Sequence, residues 1–205
     1  MRPPPEVVAA TLTGTLSGVA GGLLFATLHA MIIVPIWTRM TSGLLFGAIA
    51  GAGAGWAFAE FYPEAVRTRT RRSATVGARF GATLWLVVAP VTAADAFLRA
   101  VGIAPRYELF AVGVALTLAV AGGATLGWVI TNRVRGAVAG AVAALLLVFA
   151  MAGPVPVGRS MRAFNIFLAV LPVALLGGTA LGLFSPSIFA LITRGRPPGE
   201  RAPAS

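Results

Sequence analysis

The chain has 205 residues, 58% hydrophobic and 11% charged, against roughly one-quarter charged in soluble domains, so composition excludes a water-solvated globule. It has no cysteine, which excludes disulfides, thiolate metal sites and thiol redox chemistry. Its net charge of +10 comes from sixteen arginines and no lysine. These sit at the ends of apolar runs, where they meet headgroups and set orientation, so nucleic-acid binding is set aside.

The apolar runs are continuous and rich in alanine and glycine, not alternating. This predicts an all-α, polytopic membrane helix bundle and argues against a β-barrel. Six transmembrane helices are expected, at about 11–36, 42–61, 76–98, 108–130, 136–153 and 164–184, each near the ~20 residues a bilayer requires. They form a single transmembrane helical domain over 1–190, followed at 191–205 by a proline- and charge-rich cytoplasmic tail expected to be disordered.

The N-terminus, Met1-Arg2-Pro3-Pro4-Pro5-Glu6, is followed by an apolar run too long for a signal-peptide core, so the first span is expected to be retained. That span carries Gly14, Gly18 and Gly22, then His29 and Pro35. With its glycine turns followed by His29 and Pro35, it loosely resembles the first span of cobalt-transporter membrane subunits. No motif elsewhere extends the likeness, and it does not amount to family membership. A polar patch, Trp37–Ser42, joins it to the second span, which carries Gly43, Gly47, Gly51 and Gly55 before ending at Glu60. Four residues advance a helix by one turn plus about 40°, so each glycine series forms one face on which backbones can meet. Intramolecular packing is the expected use of these faces, and a homo-oligomer or another membrane protein is the alternative. Spans one and two are expected to be the closest helix pair. Glu60 reads as a solvated salt bridge near Glu64 and the arginine loop that follows.

Further along, Gly77/Gly81, Gly123/Gly127 and Gly178/Gly182 repeat the spacing in shorter form. Pro90 and Pro172 fall near the middles of spans three and six, where each removes a backbone donor, as candidate helix-break positions. Trp37, Trp56, Trp128, Tyr62 and Tyr107 fall near span ends as interfacial anchors, with Trp85 the exception. Thr38-Arg39-Met40 before Gly43 and Gly47 echoes Asn132-Arg133-Val134 before Gly136 and Gly140; Leu86–Val91 echoes Leu168–Val173. These echoes raise an internal repeat of two inverted three-helix halves, an architecture of secondary transporters.

Placing the loop after span two in the cytoplasm puts eleven arginines on that side and five on the other. This positive-inside asymmetry orients both termini to the cytoplasm. The composition points to a bacterial cell (inner) membrane.

Ionisable and amide groups inside a membrane are costly and usually face the bundle interior. His29, Asp95 and Asn165 lie at similar depth in spans one, three and six and form a candidate intramembrane polar or proton relay. The competing reading pairs Asp95 with Arg99 four residues on and has His29 packing against a carbonyl. No catalytic set or metal site is visible, and no cofactor is implied. The chain therefore reads as a non-enzyme. The leading functional reading is a small transporter, channel or permease component moving an ion or small solute. The alternative is a scaffold or assembly factor that binds a membrane protein through its glycine faces.

Overall fold

The computed structural model describes residues 3–30, 36–70, 72–100, 108–152 and 163–194. Among them the protein is all-helical, with no strand: α1 (Pro5–Ala30), α2 (Ile36–Phe61), α3 (Pro63–Arg67), α4 (Ser73–Ala100), α5 (Glu108–Thr131), α6 (Val134–Ala152) and α7 (Ala163–Arg194). In lipid a helix satisfies every interior backbone group within its own segment. The threonines follow the same rule. Thr13 Oγ1 donates to the Ala9 carbonyl at 2.8 Å, and Thr83, Thr117, Thr125 and Thr179 likewise donate four residues back at 2.7–2.8 Å.

Four helices carry segments long and apolar enough to cross a bilayer: Pro5–Leu24, Gly43–Phe61, Gly113–Thr131 and Leu171–Arg194. Val134–Phe149 is a shorter apolar helix. The chain is thus an integral membrane protein.

The helices form a closed ring. α1 packs most extensively on α2 and also on α7; α2 continues to α6, α6 to α5, α5 to α4, and α4 back to α7. The short α3 rests against α1, α2 and α7. Three of these neighbours meet backbone to backbone. A Cβ on Gly14, Gly18 or Gly22 would land on the carbonyl oxygen of Gly51, Gly47 or Gly43, so each step forward in α1 is a step back in α2. The α4/α7 pair shows the same antiparallel register through Gly77 with Gly178 and Gly81 with Ala174, and α5/α6 through Gly123 with Gly140 and Gly127 with Gly136.

Several boundaries differ from the sequence reading. The patch Trp37–Ser42, expected to be a polar joint, forms the opening turns of α2. The loop after span two contains α3, whose Pro63 occupies a first-turn position where a missing N–H costs nothing. Span six does not stop near 184; α7 continues through Pro186 to Arg194. Ile188, Phe189 and Ile192 pack against the core there, which offsets the backbone bond lost at the proline. Residues 195–205, most of the expected tail, lie outside the described residues.

Antiparallel pairing brings the start of α1, the end of α2, α3, the start of α4, the α5–α6 turn and the end of α7 to one end of the bundle. The core is densest there. Phe80 lies with its ring centre 5.3 Å from Phe58, 5.9 Å from Phe61 and 6.3 Å from Tyr62. Such tilted and edge-on pairs add about 0.5–1.5 kcal/mol each beyond the area they bury. Ala57, Val66, Leu84 and Leu181 complete the cluster.

Candidate functional site

This same end carries Glu6, Glu60, Glu64, Arg67 and Arg135, together with Arg69, Arg72, Arg79, Arg133 and Arg194. Arg67, in the last turn of α3, donates to Glu6 at 2.8 Å and to Glu64 at 3.4 Å. The hydrogen bond to Glu6 and then the charge of that carboxylate hold its guanidinium above the ordinary arginine range. Arg135 of α6 pairs with Glu60 of α2 at 3.3 Å. Each pair ties elements far apart in sequence. Thr68 caps α3 by donating both its N–H and its hydroxyl to the Glu64 carbonyl, at 3.0 and 2.8 Å. Ser73 Oγ then accepts from the Thr70 N–H at 3.0 Å and fixes the entry into α4. The α5–α6 turn needs a residue at φ 51°, and Asn132 is one of the few types that tolerate it.

Of the expected packing residues, Gly14, Gly18, Gly22, Gly47, Gly51 and Gly55 all face a neighbouring backbone, and Gly43 is buried opposite Gly22. Pro90 lies inside α4 and Pro172 inside α7, and both helices run on through them. Both prolines are exposed on the outside of the bundle. His29 belongs to the last turn of α1, Asp95 to the last third of α4 and Asn165 to the first turn of α7. Helix direction places all three at the end opposite this arginine-rich one, and their side chains lie outside the described residues. Trp56 packs against the core and Trp128 is exposed beside the α5–α6 turn.

The described interior is apolar. Its buried polar side chains are Thr13, Ser73 and Ser185, and only Ser185 Oγ makes no hydrogen bond there. No group of three metal-binding side chains occurs among the described residues. An apolar groove of about 540 Å³ opens laterally between α1 and α7.

Sequence reasoning missed three things here. The salt bridge expected of Glu60 reaches across to Arg135 of α6, and Glu6 anchors α3. The third is that Gly77/Gly81 and Gly178/Gly182 belong to one contact. Their shared spacing was the available signal, but a spacing does not name its partner.

No protein family, curated protein or solved structure matches the chain. Its established character is that of an integral membrane protein built on glycine-paired helices.

Proposed function

We propose that the chain is a small six-span transporter or channel component that moves an ion or small solute through two inverted three-helix halves. The neighbour order of the ring carries this reading. Exchanging α1 with α5, α2 with α6 and α4 with α7 turns the ring of contacts into itself. The glycine contacts follow the exchange, Gly18/Gly47 and Gly22/Gly43 becoming Gly123/Gly140 and Gly127/Gly136. Three spans per half reverse the direction of the second half, and such halves hold their substrate at the interface between them. α4, with 28 residues and about 42 Å of rise, and α6, shorter at 19, supply the two spans beyond the four long and apolar enough to cross. In this reading Pro90 and Pro172 are equivalent positions. His29, Asp95 and Asn165 form the polar relay at the outer end. The arginine-rich end faces the cytoplasm of a bacterial inner membrane, with both termini there. The chain acts without catalysis and without a cofactor.

A second reading, a scaffold that holds another membrane protein, is favoured by the apolar character of the described interior. Flux assays on proteoliposomes separate the two. The transporter reading expects pH-dependent proton, cation or small-solute movement above that of empty vesicles, reduced by His29→Gln, which keeps hydrogen bonding but cannot titrate. Flux equal to empty vesicles for every such solute selects the scaffold. A flux that His29→Gln leaves unchanged in rate and pH profile removes the relay.

A further inference from the structure

We infer that the lateral groove between α1 and α7 is a binding site for one acyl chain of an anionic phospholipid, whose phosphate is met by Arg194. This goes beyond the proposed transport and holds whether or not the bundle carries a solute. Along α1 the groove runs from Thr13 to Leu24, and along α7 from Val173 to Ile188. Its rims are Leu16, Leu24, Leu176 and Phe184, which are 52–64% exposed. Its floor is lowered by Gly21 and Gly177, and a Cβ on Gly177 would meet nothing within 4 Å.

Length and charge choose the occupant. Twelve residues of α1 and sixteen of α7 give about 16–23 Å, short of the ~30 Å hydrocarbon thickness. A packed neighbouring helix would need a face across the whole bilayer, whereas an acyl chain enters from one leaflet. The groove residues Val173, Gly177, Ala180, Phe184 and Ser187 recur every three or four residues on α7. The next positions on that stripe are Leu191, largely exposed, and Arg194, exposed and without an ion pair among the described residues. The stripe thus leads from apolar floor to cation, as a phospholipid leads from tail to phosphate. At the same end α3 packs against both α1 and α7, its Arg67 already paired with Glu6 and Glu64, which leaves Arg194 as the cation for the phosphate. A second copy lying parallel would bring arginine to arginine, which disfavours it as the occupant.

The test is native mass spectrometry of the full chain extracted from vesicles of equal phosphatidylglycerol and phosphatidylethanolamine. The wild type is expected to retain phosphatidylglycerol in preference. Arg194→Gln should lower that preference roughly fivefold, the scale of one arginine near an anionic surface. Gly177→Phe fills the groove from its open floor and should abolish retention while helicity and monodispersity are kept. Should that variant not fold, Ala180→Phe on the same floor carries the same expectation. The proposal is overturned by a wild type that retains no lipid or shows no anionic preference. Unchanged retention in a folded groove-filled variant, or unchanged preference in Arg194→Gln, also overturns it. So does a wild-type dimer that Gly177→Phe converts to monomer, which would assign the groove to a second copy.

Discussion

The backbones of α1 and α2 touch at four successive turns, from Ala10 with Gly55 to Gly22 with Gly43. Those of α4 and α7 touch at three, Ser73 with Gly182, Gly77 with Gly178 and Gly81 with Ala174, all toward the arginine-rich end. Beyond Gly81 the small-residue spacing of α4 ends, the next positions being the bulky Leu84 and Trp85. In lipid, where apolar burial gives helices little reason to prefer each other over solvent, this difference is decisive. The length of an unbroken small-residue series sets how far two helices stay locked. α1/α2 is held along most of its length, whereas α4/α7 is clamped at one end.

The comparison breaks most sharply at the longer contact. Gly51→Leu would place a side chain on the Gly14 carbonyl, with the Gly18 Cα 3.0 Å from its Cβ. Overpacking costs typically 1–3 kcal/mol, and here the obstacle is backbone, which cannot rotate away. The variant should lose thermal stability in detergent by at least that amount; wild-type stability would mean that this face does not pack on α1.

Gly178→Leu attacks the shorter contact and should cost about 1–3 kcal/mol, toward the lower part of that range, because one end of the pair can splay. Its neighbour provides the internal control. Gly177→Ala points into open space and should stabilise the helix by about 0.4–1 kcal/mol. Thermal unfolding of the two single variants should therefore shift in opposite directions. Equal shifts would show that the register of α4 on α7 is wrong.

Smaller effects are expected where the clamp is polar. Glu6→Gln keeps an acceptor but removes the negative charge facing the Arg67 guanidinium, which is about half exposed, so the loss should be only about 0.2–1 kcal/mol and should shrink with added salt. Least of all is Tyr62, beside the aromatic cluster. Burial raises its hydroxyl above the ordinary value of about 10, against the opposing pull of Arg79. The folded state therefore keeps this proton more tightly than the unfolded chain. The associated stability is complete below pH ~10 and declines as pH rises from there through the folded value. An alkaline stability profile should fall less steeply in Tyr62→Phe than in the wild type.

Much of this was legible in the chain, and the limits have physical causes. The faces of Gly14 to Gly22 and Gly43 to Gly55 could be read because consecutive helices joined by a short connection must run antiparallel. Residues Gly77 and Gly178 carry the same chemistry, but about a hundred residues separate them, and lipid-facing helices have no amphipathic stripe to announce a partner. The extension of α7 past Pro186 was hidden for a similar reason. Local rules favour stopping there, and the packing of Phe189 and Ile192 at the bundle end overrides them. The ion pairs Glu6–Arg67 and Glu60–Arg135 depend on which helix ends the ring brings together, which charge spacing along one segment does not contain.

The inverted arrangement is tested most directly by cysteine accessibility, since the chain has no cysteine of its own. Single variants Arg69→Cys and Arg159→Cys are separated by α4, α5 and α6. If all three cross the membrane, a membrane-impermeant thiol reagent added to intact cells should label position 159 and spare position 69. Labelling of both positions from the same side would leave an even number of crossings between them, and the two-half bundle would be wrong.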